Sequence, residues 1–322
     1  MPSKKHERIK KILLKASNRM RDKGQLPRLK HMRHGLEMGT MFSLLPWGVR
    51  FKKIQLENNN CFRKVPGEVI IPSNPKNTSQ IILYLHGGGY TIGSSHTHRA
   101  LVGKLAKKTG RIVIIPEYRK APENPFPAAL QDAALSYKSL LDRGKHPKNI
   151  ILVGDSAGGG LAIALQIYLQ ENNMPLPGAA VCFSPWVDLA ATGESIETNK
   201  NNDPLVVLEK LNLWANMYAD EYPVTHPQIS PLYADMKGLS PMLIQTSSSE
   251  MLYSDATRLA EKAEKAGVEV TLQVWDGLIH WWHLFQKRIP EACEAISKAA
   301  DYMNEIFAEN EKYIGKKVLA EV

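Results

Sequence analysis

Cysteine is nearly missing from this chain: three residues in 322, Cys61, Cys182 and Cys293, odd in number and widely spaced. That excludes a disulfide framework and offers no zinc-ligand spacing, so no metal is expected and a reducing, cytoplasmic setting is the simpler reading. Long apolar runs are missing too. None approaches the roughly 20 residues of a membrane-spanning helix. Near the N-terminus the longest, Ile12-Leu13-Leu14, falls short of the about 7 residues a signal-peptide core needs. Acidic residues are in deficit, 32 against 41 Lys and Arg, for a formal charge of +9.

The excess charge is local. Residues 1–35 carry 12 Lys/Arg and 2 Asp/Glu, a net of +10 that leaves the other 287 residues at −1. Within the segment Ile9, Ile12, Leu13, Ala16 and Met20 recur at helical spacing, with Lys and Arg on the other face. The expectation is a solvated helix laid over the core by its apolar stripe, with docking on a membrane surface as the alternative. Nucleic acid is not expected as a partner, because no Lys/Arg patch interleaved with aromatics occurs elsewhere.

Two helices are predicted at about 6–22 and 28–43, then alternating, strand-like patterns near Val49 and over Glu68–Ile71. Short apolar runs follow at Ile81–Leu85, Ile112–Ile115, Ile150–Val153, Ala179–Phe183, Met242–Gln245 and Val268–Trp275. Helical patterns separate them, at about 97–109, 127–143, 158–171, 252–266 and 289–310. This rhythm predicts an α/β chain with a mostly parallel central sheet covered by helices on both faces. The polar stretch 192–203 and a helical pattern at 205–219 break it and read as an insertion above the sheet.

Three segments carry chemistry. The first is Gly154-Asp155-Ser156-Ala157-Gly158, between the apolar run Ile150–Val153 and the helical run Leu161–Leu165. Gly-x-Ser-x-Gly alone is a weak signal, but a strand-to-helix turn is where a nucleophilic serine is exposed on a tight elbow. The amide of Ala157, next in the chain, is then a candidate oxyanion donor. Asp155 is assigned no catalytic role. The second segment, His86-Gly87-Gly88-Gly89, directly follows a buried strand. Successive glycines let backbone amides face a substrate oxygen, whereas a phosphate loop would need a following Lys-Ser/Thr that is missing. His86 reads as a structural hydrogen-bonder. The third is His280, after the last strand and the loop Asp276–Ile279, with His283 three residues on as the other candidate base.

In chain order, glycine loop, serine turn and His280, with Tyr118–Glu123 and Pro125–Ala129 between the first two, these motifs resemble the hormone-sensitive-lipase-like (family IV) carboxylesterases of the α/β-hydrolase superfamily. Residues 81–310 fit that layout. The resemblance implies an α/β-hydrolase fold with a helical cap, no cofactor, and oxyanion amides from Gly88 and Gly89. It also implies a triad in the order serine, acid, histidine, placing His280 as the base. The family's Asp-Pro-Leu-x-Asp-Glu segment aligns with Glu250–Asp255, so the acid falls on Glu250, a glutamate where the family has aspartate. The end of the strand Met242–Gln245 points to the same place. Asp255 is the alternative acid, and Asp276 a weaker one. The cap would combine residues 1–50 with an insertion at about 192–222, the catalytic domain spanning 51–322. Met20, Met32, Met38, Met41 and Phe42 are candidates to line an acyl pocket. The implied function is a serine carboxylesterase for short- to medium-chain acyl esters. A lactone or amide hydrolase, a deacetylase and a non-catalytic binder remain alternatives. The expected partner is a small-molecule ester, and a homodimer stays open.

Overall fold

The computed structural model describes residues 1–22, 28–41, 46–58 and 61–320. Two helices, α1 (Lys4–Asp22) and α2 (Leu29–Met41), precede a hairpin of β1 (Val49–Asn58) and β2 (Cys61–Pro72). Then come β3 (Ile81–Leu85), α3 (Ser95–Thr109), β4 (Ile112–Pro116), α4 (Ala128–Asp142), β5 (Ile150–Asp155), α5 (Ala157–Glu171) and β6 (Ala179–Phe183). Between β6 and β7 lie α6 (Ser195–Thr198) and α7 (Leu208–Ala219). β7 (Met242–Ser247), α8 (Tyr253–Lys265), β8 (Val270–Trp275) and α9 (Pro290–Ala320) complete the chain.

The strands form one eight-stranded sheet in the order β1-β2-β4-β3-β5-β6-β7-β8, parallel from β4 through β8 with β1 and β2 antiparallel. The central strands are apolar throughout because both faces are covered. Along β5, Ile150 and Leu152 enter one core with Tyr137 and Leu161, while Ile151 and Val153 enter another with Leu105 and Phe307. The first hairpin is much longer than the two short patterns expected from the sequence. Lys52, Lys53, Arg63 and Lys64 interrupt its alternation, which an edge hairpin with a solvated face tolerates. α9 also runs ten residues past the expected end at 310.

The strand order decides where chemistry can occur. From β3 the chain crosses outward to β4, then returns on the opposite side of β3 to form β5. Loops leaving β3 and β5 therefore diverge, opening a crevice at the carboxyl ends of two adjacent strands. Leu85 pairs with Gly154 in register, so the loop beginning at His86 and the turn at Ser156 emerge side by side.

Candidate active site

Ser156 sits between β5 and α5 with φ +53° and ψ −123°, a conformation that costs a non-glycine residue about 1–3 kcal/mol. Its neighbours hold it there. The Ser156 N–H donates to Phe183 O at 2.8 Å, and its carbonyl accepts from Trp186 N–H at 2.9 Å and Gly160 N–H at 3.1 Å. Gly158 is required because a Cβ there would collide with the Leu85 carbonyl. Ser184 and Trp281, beside the same site, are also non-glycine residues at positive φ, +46° and +63°.

His280, from the loop after β8, places Nε2 3.0 Å from Ser156 Oγ and Nδ1 2.6 Å from Glu250 Oε2. The carboxylate can only accept, so Nδ1 carries the proton and Nε2 is left to accept from the serine hydroxyl. The other carboxylate oxygen, Glu250 Oε1, accepts from Ser184 Oγ–H and Ser247 N–H, both at 2.8 Å. All three side chains are buried. Burial by itself would lower the His280 pKa, but the hydrogen bond and charge of Glu250 outweigh it and hold His280 above the ordinary histidine value. For Glu250, burial raises the pKa and the His280 partner only partly offsets it. Such a line of groups can withdraw a proton from the serine hydroxyl and stabilise the imidazolium that results.

The remaining acid and base candidates are elsewhere. Asp255 Oδ2 accepts the N–H groups of Val187 and Asp188, each at 2.9 Å, and does not contact His280. Burial, reinforced by nearby Asp188, pushes it up to about 8. Asp276 is exposed and accepts from Ser248 Oγ at 3.0 Å. His283 lies in a short 3-10 turn before α9, not in that helix, and contacts Gln245 Oε1 at 2.9 Å. Burial pushes both His283 and His86 down to about 3, so both are neutral, and His86 stacks on Tyr118.

Gly88 and Gly89 adopt φ +122° and +58°, and the loop they form turns back through Thr91 N–H and Ile92 N–H bonds to Gly88 O. Among the described residues the amides of Gly88, Gly89 and Ala157 find no acceptor, the last because it opens α5. Ala157 directly follows Ser156, and Gly88, Gly89, Ser156 and His280 line one cavity of about 1040 Å³.

The family model described as alpha/beta hydrolase fold matches residues 82–284, a span containing every group named above. An acetyl-hydrolase of Streptomyces hygroscopicus is 43% identical over 222 residues, 69% of this chain and 74% of that one. An esterase of Acinetobacter venetianus is 38% identical over 225 residues, 70% of this chain and 74% of that one. A solved esterase from the bacterial hormone-sensitive lipase family superposes with a TM-score of 0.86 at 36% identity, covering 95% of this chain and 99% of that one. The chain belongs to the hormone-sensitive-lipase-like branch of the α/β-hydrolases.

In this hydrolase the cavity is walled by four regions. α1 supplies Leu13 and Ser17, and α2 supplies Met32 and Leu36. The segment between β6 and β7 supplies Leu205–Val207, Leu211 and Trp214 as well as Trp186, and the turn after β7 supplies Leu252. Of the methionines expected there Met32 is present and Met38 is 41% exposed. Phe42 and the side chains of Met20 and Met41 lie outside the described residues. Trp214 packs so closely on Gly89 that a Cβ there would strike the indole.

Sequence reasoning missed the residues that hold these loops together. Asp155, assigned no catalytic role, is buried. Its Oδ1 accepts from Tyr84 OH at 2.6 Å and Gly87 N–H at 3.1 Å, and its Oδ2 lies 3.2 Å from His98 Nε2. It ties the glycine loop to the serine turn. Asp203, between α6 and α7, accepts from Met251 N–H at 3.1 Å, and Asn199 Nδ2 donates to the Glu250 carbonyl at 2.8 Å. His6 Nε2 accepts from Ile279 N–H at 3.1 Å, one residue before His280. Nothing local marked these residues, because each of these partners is at least 48 positions away.

Proposed function

We propose that this chain is a serine carboxylesterase, a carboxylic ester hydrolase working through an acyl-enzyme on Ser156. The observation that carries the reading is the continuous line from Glu250 through His280 to Ser156, with contacts of 2.6 and 3.0 Å. Ser156 Oγ attacks the ester carbonyl while His280 Nε2 takes its proton. Glu250 keeps the proton on Nδ1 and balances the imidazolium. The amides of Gly88, Gly89 and Ala157 receive the oxyanion, each donor contributing on the order of 100- to 1000-fold in turnover. His280 then protonates the leaving alcohol, and water releases the acyl group by the reverse roles.

Residues 1–50 and an insertion at about 192–222 act as a cap, a reading supported by Leu13, Met32 and Leu36 from the first and Val206, Leu211 and Trp214 from the second, which line the cavity with Ser156. Its mostly aliphatic and indole walls suit short- to medium-chain acyl groups, and a small-molecule ester is the partner. The low cysteine count supports a cytoplasmic setting, with Cys182 and Cys293 both free. Replacing Ser156 with Ala should abolish hydrolysis of p-nitrophenyl acetate and butyrate, and an organophosphonate should label the wild-type chain once, at Ser156. Wild-type turnover by the alanine variant would refute the assignment.

A further inference from the structure

Helix α1 faces two ways. Its inner side, with Ile9 and Leu13, packs on the cluster built around Leu278, Ile279 and Trp282, and is pinned by His6 to Ile279. Its outer side exposes Lys4, Arg8, Lys11 and Lys15. At 3.6 residues per turn these four fall within an arc of about 60°, a single cationic ridge opposite the packed face. Lys5 and Ile12, the latter 61% exposed, flank it. Across the cavity, α2 and the residue before it expose Lys30 and Arg28. None of these seven basic residues contacts a carboxylate among the described residues, and Glu7, the one acidic residue of this helix face, pairs with His6.

The cavity leading to Ser156 lies between the two helices, walled by Leu13 and Ser17 on one side and Met32 and Leu36 on the other. We propose that this face docks on an anionic lipid bilayer, bringing the cavity mouth to the surface from which an amphiphilic ester enters. Charge complementarity selects the partner, since the body of the chain sums to −1 and only this terminal segment is strongly basic. Docking is by surface attraction. The apolar side of α1 is already spent on the body, and no helix among the described residues is long and apolar enough to cross a membrane. Each basic residue near such a surface raises partitioning roughly fivefold, an effect confined to about a Debye length.

The test is co-sedimentation of the full chain with phosphatidylcholine vesicles, with and without about 30% phosphatidylglycerol. Pelleting should need the anionic lipid and disappear in about 0.5 M salt. Replacing Lys4, Arg8, Lys11 and Lys15 together with Gln keeps helix propensity and removes the ridge. That variant should lose at least about 100-fold in vesicle affinity while hydrolysing soluble p-nitrophenyl acetate as the wild type does. Wild-type pelleting by the variant, equal pelleting with neutral vesicles, or none with anionic vesicles at low salt overturns the proposal. Retention on soluble polyglutamate without vesicle binding also overturns it, and assigns the ridge to an acidic polypeptide. Sedimentation reads docking without turnover, so failure here is separable from failure of the esterase reading.

Discussion

Replacing Glu250 with Gln should disable the site without disturbing its shape, and the hydrogen bonds show why. Glu250 Oε1 is held by two donors, Ser184 Oγ–H and the Ser247 amide, each at 2.8 Å. In the glutamine variant the side-chain carbonyl oxygen must take that position, because an NH2 group there would face two donors. The amide nitrogen is then turned to His280 Nδ1, which in the wild type lies 2.6 Å from the carboxylate. A donor at that place selects the tautomer with its proton on Nε2, which cannot accept from Ser156 Oγ. Losing both the correct tautomer and the charge opposite the imidazolium costs about 10⁴ in kcat in a triad of this kind. That corresponds to about 5.4 kcal/mol of transition-state stabilisation. The assay is kcat and KM for p-nitrophenyl acetate at pH 8, with circular dichroism and urea melts to confirm folding. KM should change little, because Glu250 does not line the cavity. A folded variant retaining more than a tenth of wild-type kcat would refute this reasoning.

Three further outcomes follow from the same geometry. His280 must be neutral to act as base and its pKa is raised, so activity is lost as pH falls; the midpoint of the acidic limb of kcat/KM should lie above the usual histidine value of about 6.5. A limb centred at or below that value would contradict the Glu250 effect. Asp255, pushed up to about 8, favours folding only while protonated, so its contribution is fully present below about pH 4 and lost as pH rises through 8. Asp255→Asn should leave kcat/KM within about twofold and make urea unfolding at pH 9 harder by up to a few kcal/mol; a large loss of turnover would return Asp255 to the triad. Asp155→Ala should cost about 3–5 kcal/mol in urea unfolding by leaving His98 without its buried partner. It should also lower kcat more than it raises KM by releasing Gly87, whereas Asp155→Asn, able to keep the Gly87 and Tyr84 bonds, should recover most of the stability.

The alternation of elements was readable because each central strand is apolar on both faces and ends at glycine or a polar turn, as at Leu85–Gly89 and Val153–Gly154. Edges were harder to read. The β1–β2 hairpin hides its length behind exposed basic residues on both faces, Lys52 and Lys53 among them, since an edge hairpin needs no continuous apolar run. The turn at Ser156 was legible for a related reason: strand, glycine, serine, glycine and helix are contiguous, so their constraint is local.

Choosing among Glu250, Asp255 and Asp276 was different in kind. All three follow late strands at plausible offsets, and only the packing of the β6, β7 and β8 loops decides that Glu250 meets His280 while Asp255 turns to Val187 and Asp188. The same holds for Asp155, Asn199, Asp203 and His6, whose partners are remote in the chain. By itself the sequence determined the parallel α/β sheet, the serine on its elbow, the glycine loop beside it and the concentration of positive charge in one segment. Local backbone chemistry and hydrophobic period suffice for those. Tertiary structure decided between Glu250 and its alternatives for the imidazole, which residues lash the loops together, and that the basic helix walls the cavity with Leu13 and Ser17. Side chains that meet across the fold leave no periodic trace in the chain.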